Sequence, residues 1–180
     1  VGTSLFNVAI NNVADDGIIP EGFSLVPDKR DKENLDVEVK GSNVFLSSDV
    51  VITNELFINS GELTLNGNEL TVGRSCNVWG TLTLDNPADI LNMGINGSDQ
   101  LNFFNGSTGN FSSGVANIYG WVVPLLGCSF TGSTDNTIIF KGVSGGGLSN
   151  VEPTAVYGNI EIHKNANQRT FIADNSVEPI

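Results

Sequence analysis

The feature that most constrains this chain is a succession of strand-type runs, each three to five residues long and each closed within a few residues by a turn pair. Asp49–Thr53, Glu55–Ile58, Glu62–Leu65, Glu69–Val72, Gly80–Leu84, Ile90–Met93 and Thr137–Phe140 all follow this style, with Asn-Gly, Asp-Asn, Ser-Gly and similar pairs between them. In Leu63, Leu65 and again in Leu82, Leu84 the apolar residues alternate with Thr, the period of a strand with one buried face. No stretch carries a 3.6-residue period. Charged residues make up only 16% of the chain; Gly, Asn, Ser and Thr take their place, and these compete with helical backbone bonding. The chain is predicted to be all-β.

Internal repetition separates the all-β architectures from one another. Asn77-Val78-Trp79-Gly80, Asn117-Ile118-Tyr119-Gly120 and Ala155-Val156-Tyr157-Gly158 share one order (small, β-branched, aromatic, glycine), with glycines 40 and 38 residues apart. A half-period copy is present too. Gly61-Glu62-Leu63-Thr64-Leu65 precedes Gly80-Thr81-Leu82-Thr83-Leu84 by 19 residues, and Gly158-Asn159-Ile160-Glu161-Ile162 takes up the same form. A unit of about 19 residues suits one coil of a parallel β-helix, each coil stacked in register on the last. Leu63, Leu65, Leu82, Leu84, Ile160 and Ile162 are then predicted inside, with Thr64, Thr83 and Glu161 outside. An aromatic or Leu at the same point of successive coils would form an interior column, and turn Asn residues would stack amide on amide. The alternative is a β-sandwich, which wants longer alternating strands and fewer consecutive turn residues than this chain has; Asn105–Gly114 and Ser144–Asn150 are expected to be loops in either fold. The predicted fold is an all-β parallel β-helix, or β-solenoid.

The first 42 residues read differently. Ser4–Asn11 looks like one strand, with Phe6, Val8 and Ile10 on one side. Asp15-Asp16-Gly17 makes a turn, and Pro20 and Pro27 keep the next stretch out of regular helix. Asp28-Lys29-Arg30-Asp31-Lys32-Glu33, with Asp36, Glu38 and Lys40, is a mixed-sign run without a buried face and is expected to be a solvated linker. Two units follow: an N-terminal strand plus charged linker over 1–42, and a solenoid over 43–180. With no basic stretch and apolar run near its start, the chain is expected to be either cytosolic or already trimmed, and Val1 in place of Met favours trimming or a proteolytic origin.

The stretches Gly61–Val72, Gly80–Asp85 and Ala155–Asn165 resemble coils of repetitive bacterial surface β-helix proteins, the adhesin-type passengers and the surface proteins exported by Bacteroidota-like bacteria. The resemblance spans roughly residues 43–175 and rests on repeat style. It implies an extracellular or cell-surface location and a structural or adhesive role. Such proteins are usually far longer, which implies a fragment or a small subunit that gains length by assembling.

Chemistry is sparse. The formal charge is −12, from 20 acidic and 8 basic residues. That excludes nucleic acid as a partner, because phosphate contacts need clustered Lys and Arg. No apolar run approaches the roughly 18 residues of a membrane span. No Gly-x-Ser-x-Gly elbow, phosphate loop or His-Glu-x-x-His motif occurs. His163, the single His, shares a predicted outer face with Glu161, a pair suited to acid–base work or to a plain solvated surface. Outside the linker only Arg74, Lys141, Lys164 and Arg169 are basic, too few for a groove that holds an acidic polysaccharide. Asp85, Asp89, Asp99 and Asp135 sit beside turn residues, and Asp99 and Asp135 are the candidate ligands for calcium, which takes oxygen donors. Trp79, Tyr119, Trp121 and Tyr157 serve either internal stacking or a sugar platform. Asn96-Gly97-Ser98, Asn105-Gly106-Ser107 and Asn110-Phe111-Ser112 fit the N-glycosylation pattern. Cys76 and Cys128 match no zinc spacing; they are read as two buried thiols or as a disulfide.

The expected function is that of an extracellular structural subunit, not an enzyme, that assembles with copies of itself into a surface fibre, layer or adhesive appendage. The alternative is a carbohydrate-binding module that recognises a cell-surface glycan through exposed aromatics and a calcium site. No other cofactor is expected. Assembly is assigned to the chain ends: Leu5, Phe6, Val8 and Ile10 at one, Phe171 and Ile172 at the other. An open solenoid end is a template for an added strand. Residues 1–14 are therefore expected to pair with an adjacent subunit in a head-to-tail homopolymer, the competing arrangement being a cap folded back on the chain's own first coil.

Overall fold

The structure, a computed structural model, describes residues 8–11, 17–19, 37–40, 43–94, 97–150, 152–165 and 170–174. These form a β-solenoid of three parallel sheets, in which every strand pairing is parallel and no helix occurs among the described residues. A sandwich, built from antiparallel pairs, is excluded. Two strands come first, β1 (Val8–Asn11) and β2 (Gly17–Ile19). The first coil is β3 (Val37–Lys40), β4 (Asn43–Leu46) and β5 (Val50–Ile52), and the second is β6 (Leu56–Ile58), β7 (Glu62–Thr64) and β8 (Glu69–Val72). The third is β9 (Cys76–Val78), β10 (Thr81–Leu84) and β11 (Ile90–Met93). The fourth is β12 (Gln100–Phe103), β13 (Thr108–Phe111) and β14 (Gly114–Ile118), and the fifth is β15 (Trp121–Pro124), β16 (Ser129–Gly132) and β17 (Asn136–Gly142). The sixth has β18 (Gly146–Asn150) and β19 (Asn159–Lys164), with a single bridge, Thr131 to Val156, where the second sheet would continue. β20 (Thr170–Asp174) adds one more strand to the first sheet.

The core is a set of columns running along the axis. On the first sheet Val37, Leu56, Cys76, Leu101, Val122 and Leu148 stand one above the next, and all are buried. On the second, Val44, Leu63 and Leu82 stack; on the third, Ile52, Val72, Met93, Ile118 and Phe140 do. Burying each aliphatic side chain contributes roughly 1.5–3 kcal/mol, which holds the coils together without helices. At Gly109 the second-sheet column loses its side chain. A Cβ there would lie 2.6 Å from the Phe130 ring and 2.9 Å from that of Phe103. The space is filled by Phe103, Phe111 and Phe130, whose ring centroids are 5.0–6.1 Å apart.

Five readings are corrected here. Asn105–Gly114 and Ser144–Asn150, expected as loops, hold the strands β13 and β18. The coil departs from about 19 residues: from Val37 to Leu56, Cys76, Leu101, Val122 and Leu148 the steps are 19, 20, 25, 21 and 26, because corners and strands both vary in length, from three-residue β5 to seven-residue β17. The three tetrapeptides lie on three different sheets, in β9, at the end of β14 and at the Val156 bridge, so Trp79, Tyr119 and Tyr157 form no common column. The Gly61–Gly80 repeat does mark one corner, since a Cβ on Gly80 would lie 2.4 Å from the Gly61 carbonyl. The charged stretch ends earlier than expected: Val37 and Val39 are buried solenoid strand, with Glu38 and Lys40 paired outside at 2.7 Å. Thr64 and Thr83 occupy outward positions yet are buried, within the column Phe45, Thr64, Thr83, Asn110.

Candidate functional site

Outward-facing polar side chains spend their capacity on neighbouring coils. On the third sheet Asn92 donates to Glu69 at 2.6 Å and to Thr71 at 3.2 Å, and Asn117 donates to Asn92 at 2.8 Å. On the first sheet Asn102 donates to Asn77 at 3.0 Å. The amide stacks thus stand on strand faces rather than in turns. The third-sheet stack stops where Asn117 meets Ile139, which leaves the Asn117 Oδ1 buried without a partner.

The carboxylates proposed for calcium are dispersed. Asp99 lies ahead of β12 and is buried, whereas Asp135 is exposed in the turn ahead of β17, a different corner of the solenoid. Asp89 is fully buried and accepts the backbone N–H groups of Gly67, Asp85 and Asn86 at 2.6–3.0 Å. No three His, Cys, Asp or Glu side chains converge as metal ligands among the described residues.

Cys76 stands on the first sheet in the third coil, and Cys128 in the turn into the second sheet in the fifth. Two coils, each about 4.8 Å along the axis, exceed the roughly 7 Å Cα span of a disulfide. Both are free, buried thiols, which corrects the disulfide reading. Burial raises the Cys76 thiol far above its ordinary range. Cys128 is pushed up to about 11 by burial, then by the negative charge of Glu152. Glu152 accepts the Thr154 hydroxyl at 2.6 Å and the N–H groups of Gly127 and Thr154 at 2.7 and 3.1 Å, bonds that hold its carboxyl below the usual range. Tyr157 is shifted upward by burial, then by Cys128 and Glu152. The raised value keeps the Cys128 thiol in its protonated form near neutral pH, whereas a thiolate is the reactive form.

The aromatics divide. Tyr157 packs on Phe130, ring centroids 5.1 Å apart, at the core edge, and Tyr119 and Trp121 are half-buried. Trp79 is 42% exposed on the outer face of the first sheet. It stacks on Phe104 at 4.3 Å and 4° and faces Phe57 at 6.4 Å and 12°. Sequence reasoning missed Phe57 and Phe104; alternation was the signal within β6 for Phe57, whereas Phe104 lies one residue past the end of β12. The three rings come from successive coils, so their faces point along the axis at one another and their edges at solvent. A sugar platform needs faces open to solvent. Of the sequon residues, Asn105 is exposed and Asn110 half-buried, while Asn96 lies outside the described residues.

The C-terminal end is the remaining feature. β19 lies on β17, Ile160 over Ile138 and Ile162 over Phe140. No described strand covers its other edge. Ile160 packs partly on the core, but Ile162, expected inside, is 54% exposed, and no described strand stacks on it. Glu161 and His163 point outward, paired at 2.9 Å. Lys164 reaches back, donating to the carbonyls of Lys141 and Ser144 at 2.9 and 3.0 Å, and its burial lowers its pKa. Of the assembly residues, Leu5 and Phe6 lie outside the described residues. Val8 and Ile10 pair with Val37 and Val39 of the same chain. Phe171 and Ile172 pair with Gly147 and Leu148.

No protein-family model matches the chain, and comparison with curated proteins and with solved structures returns no match.

Proposed function

We propose that the chain is a structural subunit of the cell exterior: a rigid solenoid that associates with copies of itself through its C-terminal end and builds a surface fibre or layer. The observation that carries this reading is Ile162, an inner-column residue left 54% exposed on an uncovered strand. An unpaired strand edge next to apolar surface is a template for another strand. The polar groups support it as well. Asp89 and Glu152 are occupied by backbone N–H groups, the Asn stacks by one another, and both thiols by burial. The repeat style shared with exported surface β-helix proteins points the same way. A head-to-tail polymer needs two complementary open ends; here the first coil is buried, so end-to-end contact belongs to the last coil, and growth sideways to the outer faces. Sedimentation velocity and electron microscopy of the purified chain test this. Concentration-dependent association is expected; a monomer at every concentration contradicts it.

One observation favours a second reading, glycan contact across ring edges instead of on a stacking face: Trp79 is 42% exposed between half-buried Phe57 and Phe104. It predicts that soluble glycans change Trp fluorescence and that Trp79→Ala abolishes the change. No response across a panel of cell-surface glycans removes it.

A further inference from the structure

β19 is suited to pair with its own counterpart in a second copy. Alternation along Asn159–Lys164 turns Ile160, Ile162 and Lys164 inward and Asn159, Glu161 and His163 outward. In all earlier coils the column below Ile162 is closed: Ile52, Val72, Met93, Ile118 and Phe140 are at most 2% exposed. We infer, on the basis of the self-association reading above, that two copies meet C-terminal end to C-terminal end through antiparallel pairing of β19 with the partner's β19, about a two-fold axis at Ile162.

The register follows from side-chain direction and charge. Directly opposed residues of an antiparallel pair point to the same face, so the axis must pass through a residue and not between two. An axis at Glu161 sets two carboxylates against each other, which is destabilising. An axis at His163 sets Ile162 against Lys164. An axis at Ile162 sets Ile162 on the partner's Ile162 and brings Glu161 opposite the partner's His163, twice by symmetry. Ile160 then meets only the Lys164 stem, because the Lys164 ammonium is drawn back to the Lys141 and Ser144 carbonyls.

The shape of the end agrees. Beyond the fifth coil the first sheet gains β18 and β20, the third gains β19, and the second gains only the Val156 bridge. A two-fold axis through the third sheet exchanges the first sheet with the second, so each raised edge falls over a lowered one. Continuing head-to-tail offers no such match. Val50 and Ile52, the parallel counterparts of Ile160 and Ile162, are buried at 3% and 2% exposure, and Glu161 would face Val51.

The test uses the whole chain. Ile162→Cys, in protein whose circular dichroism and melting are unchanged, is expected to give a covalent dimer under mild oxidation, with peptide mapping locating the bond between the two Cys at 162. His163→Glu is expected to weaken the dimer about tenfold, through two like-charge pairs. Glu161→Lys combined with His163→Glu restores it, and mixing the two single variants yields heterodimer. Association that ignores His163→Glu and gives no 162–162 disulfide overturns this register and leaves self-association standing. A strict monomer overturns both. In the monomeric fraction, slow labelling of the Cys at 162 by a maleimide means the chain's own end covers β19, which also overturns the inference.

Discussion

The two ends of this solenoid are made from the same column residues and finish differently. On the third sheet the column begins at Ile52 and ends at Ile162. Ile52 is 2% exposed and Ile162 54%. At the N-terminal end, β1 and β2 lie over the first and second sheets, and all six inner residues of the first coil, Val37, Val39, Val44, Leu46, Val50 and Ile52, are buried. At the other end the second sheet has dwindled to one bridge and the third sheet stops with an apolar residue in water. A repeat fold needs a cap at each end for solubility. On the third sheet β5 and β19 are both end strands among the described residues, but the inner residues of β5 are covered and Ile162 of β19 is not.

Matched truncation gives the largest contrast. Ile52→Ala is expected to cost about 2–5 kcal/mol, the range for a buried large-to-small change, and Ile162→Ala less than about 1 kcal/mol in the monomer. Chemical denaturation of both variants at low protein concentration measures the difference, and equal costs would erase the distinction between the ends. The middle of the column set supplies the next effect. Gly109→Ala pushes a Cβ to within 2.6 Å of Phe130, and overpacking of this kind costs about 1–3 kcal/mol. A neutral result would mean the phenylalanine cluster is looser than described. Smaller again is the outer amide stack: Asn117→Ala removes one hydrogen bond, to Asn92, and also an unpartnered buried oxygen, so the loss should be at or below about 1 kcal/mol.

Acid provides the most local effect. The Glu152 carboxyl titrates below its usual value in the fold, so its stabilisation is complete above about 4.5, the ordinary value, and is lost as pH falls through the lowered one. The sixth coil should therefore loosen in acid before the first, and Glu152→Gln should remove that part of the pH dependence. Amide signals of residues 152–165 followed against those of 37–52 check the order.

The fold was legible where alternation and spacing coincide. Leu63, Leu65, Leu82 and Leu84 fall inside as their Thr neighbours require, and the 19-residue step from Gly61 to Gly80 is a true coil. The aromatic tetrapeptides misled because a strand followed by a corner glycine recurs at every side of a solenoid, so a local likeness does not fix the side. The linker misled because three charges, Asp36, Glu38 and Lys40, hide a four-residue strand whose outward positions can carry charge freely. Gly109 was silent in the sequence: only the rings of Phe103 and Phe130 reveal why the column lacks a side chain there. The candidate site was half legible. Sequence placed Ile160 and Ile162 inward and Glu161 outward, but exposure at a last coil depends on what stacks above it, and no local pattern encodes that.

Hydrogen exchange read by mass spectrometry, as a function of protein concentration, tests the central claim most directly. Backbone groups held between two strands exchange slowly, and those at a free edge quickly. The account predicts slow exchange for Val37–Lys40, held between β1 and β6, at every concentration, and fast exchange for Asn159–Lys164 in dilute protein that slows as concentration rises. Equal, concentration-independent protection of both strands, or faster exchange in the first coil than in the last, would contradict it.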